Sequence, residues 1–158
     1  MPEGGLDGVI LRRAEATDSP QCASIFLEGR RDAFPWCPRE LFHWHDYYEC
    51  VKGDQVWIAE AEGRVIGFVS ASLAERMICN LFILAGWRSR GIGSRLLACA
   101  LVELGGVVRL RCASRNLRAR QFYRRNGWVE AAGGPAGEGD FVTCCLTRAD
   151  DGAPWWMG

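Results

Sequence analysis

The chain has 158 residues, of which 49% are hydrophobic, 11% aromatic and 24% charged. This length suits one domain of ordinary size, and the composition excludes disordered, collagen-like and low-complexity proteins. Nineteen basic and nineteen acidic side chains cancel, which argues against a generally basic nucleic-acid-binding protein. The charges are segregated, however, because residues 88–125 contain ten arginines and one acid, Glu103. We expect a neutral protein with such a basic stretch to bind an anion there.

The eight cysteines are better explained as reduced thiols than as a disulfide framework. The sequence shows no secretory signal, no paired cysteine spacing and no C-x-x-C element, so we expect a cytoplasmic protein without a metal site. No apolar stretch approaches the ~20 residues that a membrane span requires, and we therefore expect no membrane insertion.

The first elements along the chain are a strand and two helices. Residues 9–13 predict a short strand, and Thr17 or Asp18 is the expected cap of a helix that continues to about Arg31. Its apolar positions follow helical spacing, which indicates a helix packed on the core. After a proline-containing break, residues 38–51 predict a second helix that is rich in aromatic side chains.

A hairpin and a third strand follow. The Glu62-Gly63 dipeptide joins two apolar runs, 56–61 and 64–72, and is a strong short-range signal for a two-residue hairpin turn. Residues 77–84 are long enough for another strand.

The second half of the chain alternates between helical and extended patterns. An apolar stripe at helical spacing marks the first of these elements as an amphipathic helix. In chain order the elements are a helix ended by Gly105-Gly106, a strand at 107–113, a helix from the Asn116 cap to Asn126-Gly127, a strand at 128–132, a glycine-rich loop at 133–139 and a strand at 141–147.

This order predicts an α/β (α+β) domain with a mixed, mostly antiparallel sheet of about six to seven strands and about four flanking helices. No interdomain linker is apparent. We therefore expect residues 1–150 to form a single domain, followed by an apolar tail at 151–158.

The segment 81–94 joins the predicted strand at 77–84 to the amphipathic helix. Gly91 and Gly93 allow the backbone to bend tightly and expose its N–H groups, and the helix start adds about half a positive charge. With Arg88 and nearby Arg90, these groups predict a pyrophosphate site. The segment is neither a dinucleotide fingerprint, since Leu96 occupies the third glycine position, nor a P-loop, since no G-K-[ST] follows.

A second motif lies about thirty residues downstream. Together the two segments resemble the GCN5-related N-acetyltransferase (GNAT) family. Its acyl-CoA motif, Q/R-x-x-G-x-G/A, is matched by Arg88, Gly91 and Gly93. Ala85 stands where many members have proline. Its second motif, N-x-x-A-x-x-F-Y-x-x-x-G-[FW], is matched by Asn116, Ala119, Phe122, Tyr123, Gly127 and Trp128.

The resemblance implies an acetyl-CoA site between two splayed central strands. Phe82, Ile83 and Leu84 would pair the pantetheine arm through their peptide groups. Asn116 would either donate to that arm or cap its own helix. The pyrophosphate would rest on the amides of the loop and helix start, which are Arg88, Ser89, Arg90, Gly91, Ile92, Gly93 and Ser94.

The resemblance also implies direct transfer of an acetyl group to a primary amine in a ternary complex. Tyr123 is the candidate acid, because a phenol of pKa near ~10 can protonate a thiolate of pKa near ~8.5. The alternative is a buried hydroxyl with a structural partner. A lysine-like amine must first lose a proton, at a cost of about 4.6 kcal/mol at pH 7. The base is unresolved, and the candidates are His43, His45, Asp46 and Glu75.

The acceptor is expected to be a cation, either a small molecule or a protein amine. Acidic and aromatic side chains suit a cation through charge attraction and ring faces, although aromatics at helical spacing also pack cores. In the first two predicted helices these side chains are Asp32, Phe34, Trp36, Phe42, Trp44, Asp46, Tyr47, Tyr48 and Glu49.

Two other functions stay open at this point. One is an acyl-CoA sensor with the family fold and no transfer activity, and the other is a nucleic-acid-binding module that uses the arginine-rich stretch. No nucleic-acid recognition motif accompanies those arginines, so we expect no nucleic-acid partner. The family analogy predicts a homodimer.

Overall fold

The computed structural model describes residues 8–131 and 141–147, and these residues form one seven-stranded sheet in the order β1-β2-β3-β4-β5-β7-β6. The strands are β1 Val9–Arg13, β2 Gln55–Ala61, β3 Arg64–Ser72, β4 Met77–Ile83, β5 Val107–Ala113, β6 Val129–Glu130 and β7 Phe141–Thr147. The α-helices are α1 Ser19–Ala33, α2 Asp46–Cys50, α3 Ile92–Leu104 and α4 Leu117–Arg125, with 3₁₀ turns at Ala16–Asp18, Arg39–Leu41 and Ala85–Trp87.

All neighbouring strands are antiparallel except β4 and β5, which are parallel. The predicted fold class is therefore confirmed. The hairpin between β2 and β3 is also as expected, because Glu62 and Gly63 adopt the positive φ angles of 54° and 77° that a tight two-residue turn requires.

Helices cover both faces of the sheet. Trp57, Ala59 and Ala61 of β2 belong to one apolar core with the buried face of α3. Ile58 lies between them in sequence and belongs to a second core with α1 and α2. Since successive strand residues point to opposite faces, the two cores lie on opposite sides of the sheet. The central strand β3 is consequently buried from Val65 to Ala71.

The sheet opens between β4 and β5. Their pairing comprises Met77 with Arg109 and Ile78 with Leu110, after which the strands separate. On the other side of β4, the register with β3 shifts between Ser70 and Ala71, which leaves Cys79 as the extra residue of a β-bulge. The remainder of β4 therefore has a partner strand on one side and a gap on the other.

The structure corrects the prediction of one continuous helix over residues 38–51. A 3₁₀ turn ends before Phe42, which is extended (φ −103°, ψ 129°), and the α-helix begins at Asp46. The Asp46 carboxylate accepts a hydrogen bond from the His43 amide at 2.9 Å and another from Arg30. These hydrogen bonds stabilise the start of a new helix at Asp46. The helix propensities of residues 38–51 could not predict them.

The predicted strand at 128–132 is also shorter than expected, since β6 contains Val129 and Glu130 alone. The glycine-rich loop at 133–139 and the tail at 151–158 lie outside the described residues. Within residues 8–131 and 141–147, no helix combines the length and apolar character that crossing a membrane requires.

Candidate functional site

A cleft of about 1060 Å³ opens at the separated ends of β4 and β5. Its walls come from the C-terminal part of α1, the end of β4, the loop before α3, the start of α3 and most of α4. Nine of the eleven residues predicted to bind the cofactor line it, together with the predicted acid Tyr123. They are Phe82, Ile83, Arg88, Ser89, Gly91, Ile92, Gly93, Ser94 and Asn116.

One end of the cleft is built from backbone amides. Gly91 adopts φ 84° and forms the N-cap of α3 without a side-chain cap. The first helical bond is from the Arg95 amide to the Gly91 carbonyl at 3.2 Å. Among the described residues, the amides of Ile92, Gly93 and Ser94 therefore have no acceptor. Three free donors at the positive end of a helix are an arrangement that suits an anion.

Close packing fixes the position of these amides. A Cβ atom on Gly93 would lie 3.1 Å from Cζ of Phe122 in α4. That distance is below ordinary van der Waals contact, so even the smallest side chain at position 93 would require the Phe122 ring to shift by a few tenths of an ångström. The contact between the two helices therefore favours glycine at this position.

The backbone of β4 is available to a ligand at alternate residues. The Leu84 amide donates to the Ile66 carbonyl of β3 at 2.7 Å, which marks this pair as hydrogen-bonded. In an antiparallel pair such residues alternate, so the peptide groups of Phe82 and Leu84 face β3, and those of Leu81 and Ile83 face the gap.

This alternation revises part of the predicted arm-binding segment. Leu84 lies outside the cleft, the Phe82 ring packs edge-on against Phe26 at 5.4 Å, and Leu81 lines the cleft although it was not predicted. The Ile83 carbonyl accepts a bond from Arg88 Nε at 3.1 Å. Sequence spacing could not reveal which alternate residues face the gap, because that depends on the register with β3.

The arginines of the basic stretch have several different environments. Arg90, predicted to bind the cofactor, lies outside the cleft with its guanidinium 4.7 Å from the Trp87 ring. Arg88 lines the cleft and pairs with Asp32 of α1 at 3.3 Å. Arg120 pairs with Glu130 at 2.8 Å and lowers the pKa of that carboxyl. The predicted anion site therefore uses a subset of these arginines.

The two readings of Asn116 are compatible. Its Oδ1 accepts a bond from the Ala119 amide at 3.1 Å and so caps α4. The residue also lines the cleft, where its side-chain amide can donate to a ligand. The neighbouring Arg115 stacks on Trp36 at 4.4 Å and connects this wall to the segment after α1.

Tyr123 is half-buried at the wall of the cleft. Its ring packs edge-on against Phe122 at 5.2 Å and Trp128 at 6.0 Å. Burial, with a smaller contribution from Cys112 and Cys144, raises the pKa of the phenol. The raised pKa keeps the hydroxyl protonated at neutral pH. Because the hydroxyl has no hydrogen-bond partner among the described residues, it is free to donate to a ligand.

None of the base candidates named from the sequence lines the cleft. His43, His45 and Glu75 are exposed. The Asp46 pKa is lowered by the His43 amide and by Arg30, which makes this carboxylate a weak base. The guanidinium of Arg30 also stacks on Phe42 at 4.7 Å. The protein's own arginine thus occupies part of the acidic and aromatic surface that was predicted to bind a cationic acceptor.

The described residues contain no group of His, Cys, Asp and Glu side chains that could hold a metal ion. All eight cysteines are free thiols.

The fold places a cleft with free helix amides beside two central strands that separate. Residues 52–130 match the acetyltransferase (GNAT) domain family. The chain is 30% identical over 129 residues to a protein of Archaeoglobus fulgidus named as an uncharacterized N-acetyltransferase, with 72% of this chain and 88% of that relative covered.

Solved structures show the same fold. The PaiA N-acetyltransferase of Thermoplasma acidophilum in complex with coenzyme A is similar with a TM-score of 0.71 at 14% identity, over 89% of this chain and 99% of that one. The ribosomal-protein-alanine N-acetyltransferase of Brucella melitensis has a TM-score of 0.67 at 19% identity, over 88% and 99%.

The chain belongs to the GNAT family. It is an acyltransferase and uses acetyl-CoA as the acetyl donor, as the sequence predicted. The residues present fit this donor: three free helix amides suit a pyrophosphate, and a strand edge with open peptide groups suits an extended amide-containing arm.

Proposed function

We propose that this protein transfers the acetyl group of acetyl-CoA to a primary amine by direct attack within a ternary complex. One observation carries the proposal: a single cleft is bordered by the free amides of α3, the open edge of β4 and the hydroxyl of Tyr123. Bound acetyl-CoA supplies a thioester, whose acetyl group passes to the amine while the sulfur leaves as a thiolate.

The cofactor is held mainly through the backbone. The amides of Ile92, Gly93 and Ser94 bind the pyrophosphate, with Arg88, Ser89 and Gly91 in the loop beside them. The peptide groups of Leu81 and Ile83 orient the arm along β4, and the side-chain amide of Asn116 donates from the opposite wall. Phe82 shapes the strand through its packing.

Tyr123 is the proposed acid. Its raised pKa keeps the proton on the phenol oxygen at neutral pH, and it also makes the phenol a weaker acid toward the thiolate than a free tyrosine. As the sulfur gains negative charge, the hydroxyl donates this proton and neutralises the leaving group. The absence of a competing hydrogen bond to another described residue supports this role, because the hydroxyl needs no rearrangement to donate.

The acceptor is proposed to be a cation because an aliphatic primary amine is protonated at neutral pH. Asp32 and Asp46 are paired with arginines. The exposed acidic and aromatic side chains of this set that have no described arginine partner are Trp44, Tyr48 and Glu49, with the two rings 5.5 Å apart. These three form a surface that suits a cation at the end of α2.

The test is release of free CoA from acetyl-CoA with a panel of polyamines, aminoglycosides, amino acids and peptides. We expect turnover with cationic primary amines. Preference for an anionic amine would refute the charge argument, and binding of acetyl-CoA without turnover on any amine would refute transfer in favour of a sensor.

The remaining proposals concern the protein as a whole. We propose that residues 1–150 are the acetyltransferase domain and that residues 151–158 are a tail outside it. The eight free thiols support a cytoplasmic location, where thiols stay reduced. A homodimer is proposed by family analogy and is tested by light scattering of the purified protein.

A further inference from the structure

A cluster of polar side chains lies on the sheet where β4 and β5 begin to separate. We call Cys50, Asp54, Ser70, Cys79 and Asn80 the bulge cluster. Asn80 Nδ2 donates to Ser70 Oγ at 2.9 Å and to Cys50 Sγ at 3.4 Å. The cluster thus joins the end of α2 to the two strands β3 and β4.

The bulge cluster lies next to the gap between β4 and β5. Pairing between β4 and β5 ends at Ile78, and the next residue, Cys79, is the bulge. Asn80 shares a face with Phe82, which belongs to the core under α1 and α2. The cluster therefore adjoins the closed end of the gap, on the side of the sheet opposite α3.

Asp54 is the acidic residue of this cluster, and one oxygen of its carboxylate lacks a hydrogen-bond donor in the part of the chain that the structure describes. The oxygen Oδ2 is buried and has no hydrogen-bond partner among the described residues. No described arginine or lysine forms an ion pair with it, in contrast to Asp32 and Asp46. A buried carboxylate oxygen without a donor is costly, so a ligand that brings an N–H donor to it would be stabilised there.

The environment of Asp54 makes it a stronger base than an ordinary carboxylate. Burial raises its pKa, Glu75 adds to the increase, and the side chains of Cys79 and Ser70 oppose it. Burial also raises the pKa of Cys79 to about 12, so its thiol stays neutral. Asp54 also lines a hollow that contains Tyr47, Arg13 and Glu15. Cys50 is a further titratable group of the cluster.

We propose that Asp54 is the general base that removes the proton from the acceptor's ammonium group. This inference rests on the proposed function and fills the role that the sequence left open. Asp54 does not line the cleft, so the ammonium group of the acceptor would approach it across the bulge cluster, where Cys50 and Cys79 are exposed.

The ammonium proton passes to Oδ2 of Asp54, directly or through one water molecule, and leaves a neutral amine. Its lone pair forms the N–C bond as the C–S bond breaks, and Tyr123 protonates the sulfur. The acylated nitrogen then loses its second proton, which restores the Tyr123 phenol, and Asp54 releases its proton to solvent.

The test compares Asp54→Asn with the wild type on a lysine-like amine and on aminoacetonitrile, a primary amine that is already neutral at pH 7. We expect kcat/KM for the lysine-like amine to fall about 100-fold. The value for aminoacetonitrile should stay within about threefold, because no proton needs to be removed. Glu62→Gln makes the same change of charge in the exposed turn at the other end of β2 and should have no effect.

The pH profile of the wild type is a second readout, and it can be measured without the variant. In the wild type, kcat/KM should rise with pH through a pKa above that of an ordinary carboxyl, because the base must be ionised. In Asp54→Asn the rise should instead continue toward the pKa of the amine itself.

The outcomes separate the inference from the proposed function. Equal losses on both amines, or a variant with wild-type rates and profile, would overturn the role of Asp54 alone. A wild type that binds acetyl-CoA but acetylates neither amine would overturn the proposed transfer and this inference with it.

Discussion

The two ends of the site are built in different ways. The proposed anion end consists of peptide groups of one contiguous segment, Gly91 to Ser94, at a helix start. The proposed acceptor end consists of side chains from α2, the turn before β2, β3 and β4. The first is therefore visible as a motif in the sequence, whereas the second exists only after four separate segments have packed together.

The largest expected effect on cofactor binding comes from a substitution that disturbs the anion end alone. Gly93→Val would force a side chain against Phe122, where even a Cβ lies at 3.1 Å. Displacement of the α3 amides should cost about 2 kcal/mol and weaken acetyl-CoA binding about 30-fold, measured by calorimetry. Gly86→Ala is the matched control in the same loop, since a Cβ there meets nothing within 4 Å. Equal affinities for the two variants would contradict the assigned anion site.

Tyr123→Phe tests the chemistry between the two ends. Turnover should fall at least about tenfold because the leaving sulfur loses its proton donor, and acetyl-CoA affinity should stay nearly constant. Steady-state kinetics and calorimetry measure the two quantities. Unaltered turnover in Tyr123→Phe would remove this residue from the mechanism.

The sequence revealed the anion end because its requirements are local. Positive φ at Gly91 and the close approach at Gly93 both demand glycine, so the motif records the geometry. The hairpin at Glu62-Gly63 was predictable for the same reason. By contrast, Leu81 was missed because the register with β3 decides which peptide groups face the gap.

The acceptor end was hidden for a different physical reason. Asp54 is an ordinary turn residue in the sequence, and its burial against Ser70 and Cys79 depends on long-range packing. Asp46 was assigned as a possible base, yet Arg30, sixteen residues away, makes it a structural anion that starts α2. A charge in the sequence carries no information about which partner will neutralise it.

A smaller effect, on stability, distinguishes the arginines of the basic stretch that stabilise the fold from those that are proposed to bind the cofactor. Arg120 lowers the pKa of Glu130, so this pair stabilises the fold above the ordinary carboxyl pKa, and the contribution is lost as the pH falls. Glu130→Gln should therefore lower the free energy of unfolding by about 1 kcal/mol at pH 7. The difference should vanish in acid.

Urea unfolding at several pH values measures this change. Acetyl-CoA affinity is the control readout and should stay constant in Glu130→Gln. A loss of affinity together with unchanged stability would assign Arg120 to the cofactor instead.

The smallest expected effect concerns Arg88, whose guanidinium already forms an ion pair with a carboxylate of the protein itself. Asp32→Asn removes its ion pair at 3.3 Å and leaves the guanidinium free for the anion end. We expect acetyl-CoA to bind about two- to threefold more tightly, an effect that should shrink as salt is added. Weaker binding would show that Asp32 positions Arg88 rather than competing for it.

The most direct test of the account is thermal unfolding of the wild type and Gly93→Val with increasing acetyl-CoA. At 100 times its dissociation constant the cofactor should stabilise the wild type by about 2.7 kcal/mol, and Gly93→Val should need about 30-fold more cofactor for the same shift. A wild type that shows no shift at millimolar acetyl-CoA would contradict the cofactor site and the acetyl transfer derived from it.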